Sequence, residues 1–507
     1  MAEAPIAATK AGKVRGAVED GVNVFKGIRY GVDTATTRFE APRPPTPWSD
    51  VKDALAYGAS TLQAQGGDGG GLFKSWRQDP PLPMSEDCLW LNVWTRGLRD
   101  GKKRPVMVWL HGGGFVTGSG SSYVYDGVRL CNRGDVIVIS INHRLNMFGH
   151  LYLGEYGFAD SGNAGILDII QALHWVRDNA AEFGGDAGNV TIFGESGGGS
   201  KVCTLMAMEA ATGLFHRGIC QSGPMPQATT AADATKSAEM VIAELGLTRT
   251  TIDQIRTMPA AQIQKAVRAA QRAGARVAGT GPVIDDRNLK RHPFTPDAPN
   301  ISHDVPLMIG TNRTETSMLI GAARRELFDL TWDTLPAALS ETMKGRDTAK
   351  IVAEYRKLHP SRTAVDSYFT MTTDGGFYRL SVQIADRKSD AGGAPVYFYL
   401  LNWNTPVDGG KWLCPHSLDI TFCFDNVAKS ESMSGIGADQ QKLADMMSEA
   451  WLAFAKTGNP NSKNVPNWPA YDSKSRATMI FDLEPKVVND PRAADRKIIE
   501  NAKVAVR

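Results

Sequence analysis

The stretch VTIFGESGGGS, Val190 to Ser200, decides how the rest of the chain is read. Val190 to Phe193 is a short β-branched and aromatic run, the composition of a buried strand. It breaks at Gly194-Glu195-Ser196-Gly197-Gly198, and the residues from Lys201 to Ala210 favour helix. Strand, sharp turn and helix are the setting in which a G-x-S-x-G serine is held in a strained conformation, its hydroxyl raised above the strand end. Glycines on both sides let neighbouring chain come close without meeting a Cβ. The pentapeptide alone is weak: with 51 glycines in 507 residues, chance supplies about 0.3 of them.

The next stretch outward is KRPVMVWLHGGGF, residues 103 to 115. Pro105 to Leu110 predicts a second apolar strand, and His111-Gly112-Gly113-Gly114 follows at once. A loop of this kind aims backbone N–H groups at an oxygen that becomes negative during acyl transfer. Two such motifs in this order, each at a strand end, point to nucleophilic serine chemistry.

A serine hydroxyl is a weak nucleophile until a histidine takes its proton, and the histidine needs an orienting acid. In this architecture the chain order is serine, acid, histidine. Of nine histidines, His303, His359 and His416 lie late enough. His303 precedes a strand predicted at Val305 to Ile309, ahead of the leading acid. His359 stands before Pro360 at a helix end, a capping or solvated position. His416 follows a strong strand, Val396 to Leu401, and a turn with Asp408-Gly409-Gly410. Loops at the C-terminal ends of strands are where α/β sites are assembled, so His416 is the candidate base. Among carboxylates near strand ends, Glu315 in PLMIGTNRTETS leads, with Asp304, Asp285 and Asp286 in competition.

The chain resembles the type-B carboxylesterases, the branch of α/β hydrolases that includes the cholinesterases. Blocks in order carry the resemblance: Gly12 to Gly16, Phe25 to Tyr30, SEDCLWLNVW (85–94), NHRLNMFGHL (142–151), the long run 162–186, GLFHRGICQSG (213–223), and WLAFAKTGNPN with WPAY near the C-terminus. It implies an α/β-hydrolase fold, a large and mostly parallel sheet flanked by helices, with helical cap insertions. It implies Ser196 as nucleophile, Glu315 as orienting acid and His416 as base. Gly113, Gly114 and Gly197 are expected to supply the oxyanion N–H groups. Ser222 matches a family serine that hydrogen-bonds near the catalytic glutamate, and Glu195 is expected in the same supporting layer. The chain also departs from the pattern. Thr61-Leu62-Gln63 stands where the family has a cysteine that pairs with the one at Cys88, and Arg29 replaces a turn proline. Nothing in the sequence places a cation–π site for a choline ester.

Length alone allows two or three domains; because the resembling blocks span the whole chain, the resemblance implies one domain over 1–507, with helical insertions near 225–280 and 320–390 and a mobile, glycine-rich loop near 61–88 over the site. The basic side of 264–276 reads as a solvated helix face. A net charge of +2 gives nucleic acid no electrostatic footing, and no apolar run approaches the ~20 residues of a membrane span. The resemblance implies a small-molecule ester as partner, with neither cofactor nor metal expected; no H-E-x-x-H, C-x-x-C or phosphate-loop motif occurs. Six scattered cysteines and an N-terminus lacking an apolar core predict a cytoplasmic protein with free thiols, secretion or a periplasmic location staying open if a leader preceded it. Cys203 and Cys220 flank the elbow helix and could lie close, though sequence alone does not pair them. The expected activity is serine carboxylesterase on short- to medium-chain esters; a lipase, amidase, lactonase or thioesterase would use the same apparatus, and a non-catalytic adhesion relative would have lost Ser196.

Overall fold

The computed structural model describes residues 4–64 and 66–502. Gln65, within the glycine-rich loop, and residues 1–3 of the N-terminal stretch lie outside them.

Eleven strands form the main sheet: β1 (Ala17–Glu19), β2 (Val22–Arg29), β3 (Trp90–Thr95), β4 (Arg104–Leu110), β5 (Ile137–Ile141), β6 (Gly185–Glu195), β7 (Arg217–Gln221), β8 (Leu307–Asn312), β9 (Val396–Leu401), β10 (Ala477–Phe481) and β11 (Lys486–Asn489). Their spatial order is β11-β10-β9-β8-β7-β6-β4-β5-β3-β2-β1. The seven strands from β5 to β10 run parallel, and the outer ones pair antiparallel.

The central strands read as continuous apolar runs because both faces are covered. Alternate side chains enter two different cores. Val106, Val108 and Leu110 pack with Ile166, Ile169 and Leu173 of helix α1 (Ala164–Asn179). Met107 and Trp109, one residue out of phase, join the core on the opposite face, with Leu443, Met447 and Trp451 of the long helix Ala438–Thr457. Each such aliphatic side chain stabilises by about 1.5–3 kcal/mol when fully buried.

The strand at 396–401 has the predicted bounds, whereas the third predicted strand begins later, at Leu307, and continues to Asn312. The elbow helix α2 spans Gly197–Leu205, so it starts four residues before the predicted Lys201 and ends earlier. Propensity disfavours three glycines in a helix, but contact requires them here. A Cβ on Gly198 would stand 1.9 Å from the Leu110 carbonyl oxygen, and one on Gly197 would stand 2.0 Å from the Gly114 oxygen.

Helices occupy both expected insertion regions. Ala231–Glu244 and Ala260–Ala273 share an apolar cluster with Phe148 and Phe158. Leu335–Thr342, Thr348–Leu358 and Ala364–Thr373 share another around Tyr355 and Tyr368. Between residues 61 and 88, Gln63 bonds Gly118 in both directions, and Trp76 Nε1 donates to Ser430 Oγ. Thr61 faces the buried Cys88 thiol where the resemblance would put a second cysteine, and all six cysteines are free. The Cys203 and Cys220 sulfurs lie 3.8 Å apart.

Candidate active site

Four loops at the C-terminal ends of parallel strands meet at one point. β4 leads into the His111–Gly114 loop, β6 into Ser196, β8 into Glu315, and β9, through a longer loop, into His416. Ser196 adopts φ 56°, ψ −124°, a backbone state that costs of order 1–3 kcal/mol for a side-chain-bearing residue. Its N–H donates to the Gln221 carbonyl at 2.8 Å, and the close packing at Gly197 and Gly198 holds the turn against the loop after β4. Ser196 is half-buried, so its hydroxyl is reachable.

His416 Nδ1 contacts Glu315 Oε2 at 2.5 Å, and the second Glu315 oxygen accepts from the Asn312 N–H at 2.7 Å. Both side chains are buried. Nε2 has no aligned hydrogen-bond partner among the described residues; Glu195 Oε1 stands 3.2 Å from it and accepts from Ser417 Oγ at 2.8 Å. Burial opposes a charge on His416, yet Glu195 and then Glu315 outweigh it and raise its pKa. Glu195 is pushed well above the usual carboxylate range by burial, against the pull of His416. Two groups that each favour binding a proton thus face each other across 3.2 Å.

The N–H groups of Gly113, Gly114 and Gly197 have no hydrogen-bond partner among the described residues. Gly113 at φ 86° and Gly114 at φ 63° use a left-handed backbone that favours glycine. Gly197 adds the first N–H of α2, where the helix dipole is positive. Behind the loop, His111 stacks on His143 at 4.8 Å, and burial lowers the His111 pKa to about 3, keeping it neutral.

Ser222 differs from its expected part: its hydroxyl is buried and has no hydrogen-bond partner among the described residues, while its N–H donates to Gly310. The competing candidates fall away from this point. His303 pairs with the exposed Asp304, His359 caps a helix and contacts Asp495, and Asp285 accepts from the turn at Arg287 to Leu289. Three participants carried no sequence signal: Ser417, Phe377, whose ring lies 5.3 Å from the His416 ring on a π-helical turn, and Lys201. Lys201 is buried, and burial lowers its pKa to about 7.

A cavity of about 390 Å³ opens beside Gly112, Gly113, Glu195 and Ser417. Phe73, Trp76 and Tyr125 give it an aromatic side, and Ser119, Ser121 and Ser122 a hydroxyl-bearing one.

A parallel sheet with a serine elbow, a glycine loop on the neighbouring strand, and a histidine on a carboxylate further along defines a serine hydrolase of the α/β-hydrolase fold. Residues 3–499 match the Carboxylesterase family, and the chain belongs to it. It is 38% identical to the para-nitrobenzyl esterase of Bacillus subtilis over 97% of this chain and 98% of that one. It is 31% identical to the phenmedipham hydrolase of Pseudarthrobacter oxydans over 96% of each. A solved esterase from Clostridium hathewayi, described as able to hydrolyse aliphatic aromatic polyesters, superposes with a TM-score of 0.86 at 33% identity, covering 98% of both chains. The protein is a carboxylic ester hydrolase, and no helix among the described residues is long and apolar enough to cross a membrane.

Proposed function

We propose that Ser196, His416 and Glu315 are the catalytic triad, with Gly113, Gly114 and Gly197 as the oxyanion hole. The observation that carries the reading is the buried 2.5 Å contact of His416 with Glu315 beside a serine held at φ 56°. Ser196 Oγ attacks the ester carbonyl as His416 Nε2 takes its proton. The carbonyl π pair moves onto oxygen, and the three N–H groups meet that charge as it develops. Glu315 keeps the proton of Nδ1 in place and stabilises the imidazolium without taking its proton. The intermediate collapses, the alcohol oxygen leaves with the proton from Nε2, and an acyl-serine remains. Water, deprotonated by His416, releases the acid. The 61–88 segment lines the cavity through Phe73 and Trp76, and Phe377 from the 320–390 insertion packs against His416.

The cavity favours uncharged esters with an aromatic or short to medium alkyl group. Its volume lies in the range of small-ligand pockets, and Phe73, Trp76 and Tyr125 offer ring faces for an aryl group. The names para-nitrobenzyl esterase and phenmedipham hydrolase, carried by two relatives, support aryl-bearing substrates.

The test is hydrolysis of p-nitrophenyl acetate, butyrate, octanoate and palmitate, with Ser196→Ala alongside. Turnover is expected to be fastest with the shorter chains, with kcat of the variant down by roughly 10³ to 10⁶. Comparable turnover by variant and wild type rejects the assignment.

A further inference from the structure

We infer that Lys201 is a positioning residue of the oxyanion loop, its ammonium clamping the carbonyls of His111 and Gly114 on either side of the peptides that present the Gly113 and Gly114 N–H groups. The inference rests on the assignment of those N–H groups above. Nζ donates to the His111 oxygen at 3.0 Å and to the Gly114 oxygen at 2.9 Å, and it lies 5.2 Å from the Phe115 ring centroid. The His111 oxygen belongs to the peptide joining residues 111 and 112. The Gly114 oxygen belongs to the peptide joining 114 and 115. The Gly113 and Gly114 N–H groups sit on the two peptides between them, so one side chain holds both flanks.

A glycine loop needs such a brace. Glycine has the greatest backbone freedom to lose on ordering, and an oxyanion hole acts through donors fixed before the reaction. A buried ammonium is expensive unless paired. Among the described residues no carboxylate comes within ion-pair distance of Lys201. The titratable groups around it are Glu195 and the buried histidines His111, His143 and His150. An apolar side chain would fill this core at lower cost, but it would leave two loop carbonyls without donors. Lys201 and Ser196 also share one rigid unit, since α2 begins directly after the serine. Nucleophile, Gly197 N–H and clamp keep their register as that unit moves.

The test compares Lys201→Met and Lys201→Gln with wild type, with active sites counted by organophosphate titration. Steady-state kinetics on p-nitrophenyl butyrate are paired with inhibition by an alkyl trifluoromethyl ketone, whose serine adduct places an oxyanion in the hole, and by the matching methyl ketone. Lys201→Met is expected to lose about 10²-fold in kcat, near the loss of one oxyanion donor, with KM within about twofold. The trifluoromethyl ketone is expected to weaken in parallel while the methyl ketone is unchanged, and Lys201→Gln, which keeps a donor, to fall between. A kcat per titrated site close to wild type, equal weakening of both ketones, or failure of both variants to fold would assign Lys201 to structure alone and overturn the inference. Ser196→Ala runs in parallel: full activity there sinks the site assignment itself, a distinct failure.

Discussion

His416 and Glu315 are joined inside the protein by a 2.5 Å contact, although 101 residues separate them in the chain. The carboxylate is held in turn by the Asn312 N–H on its other oxygen, so it cannot swing away from the imidazole. Glu315→Gln keeps the shape and removes the charge. Its kcat is expected to fall by about 10³ to 10⁴ with little change in KM, as when a triad acid becomes an amide. Steady-state kinetics check this, and an activity near wild type would move the orienting role to another group.

The charge on His416 sets the pH profile. Glu195, Glu315 and Asp419 all favour its protonated form, and the proposed base works only when neutral, so activity is expected to rise with pH through its titration. Glu195→Gln removes one of those negative charges. The acid limb of kcat/KM is therefore expected to move to lower pH, by about one unit or more. A limb that stays in place or moves up would show that Glu195 is uncharged whenever His416 titrates.

Two glycines should respond to alanine with opposite signs. At Gly198 the new methyl would sit 1.9 Å from the Leu110 oxygen, so Gly198→Ala must push α2 off the loop after β4. A loss of about 1–3 kcal/mol or more in urea unfolding is expected, with activity lost too. Gly375 lies in a π-helical turn with nothing within 4 Å of its Cβ position. Gly375→Ala is expected to gain about 0.5–1 kcal/mol from backbone entropy alone. Equal effects at the two sites would contradict the packing described.

Arg144 and Asp168 form a buried ion pair, Nη2 to Oδ1 at 2.6 Å and Nε to Oδ2 at 2.8 Å. Asp168 also accepts the Arg144 N–H, tying α1 to the segment after β5. Asp168→Ala leaves a guanidinium without its carboxylate and is expected to destabilise by about 3–5 kcal/mol. Replacing both residues with apolar ones of similar volume should recover most of that, which thermal or urea unfolding would show.

What the sequence discloses about this site follows from how local each signal is. Ser196 and the glycine loop announce themselves because strand, turn and helix are consecutive in the chain. The strand at 396–401 has its predicted bounds because six apolar residues in a row end at clear turn signals. Glu315 could be ranked only slightly above three aspartates from its own neighbourhood, since its partner lies in another loop; the family resemblance separated them. Lys201 gave no signal at all. A lysine on a helix reads as a solvated charge, and its acceptors at His111 and Gly114 lie 90 and 87 residues earlier. The helix begins at Gly197, ahead of the predicted Lys201, for a related reason: glycine propensity is a local quantity, whereas the need for a bare backbone comes from the neighbouring strand.

The parts of the site enter the chain between His111 and His416, each at the end of a different parallel strand. Parallel pairing joins residues far apart in sequence and is slow to form. With the proposed triad, a ribosome-bound chain that has emerged only as far as Leu401 already holds Ser196, the glycine loop and Glu315 but lacks His416, the proposed base. Ester cleavage is then expected only after synthesis passes the fourth fifth of the protein, so the appearance of activity during translation or refolding would report the docking of that last loop.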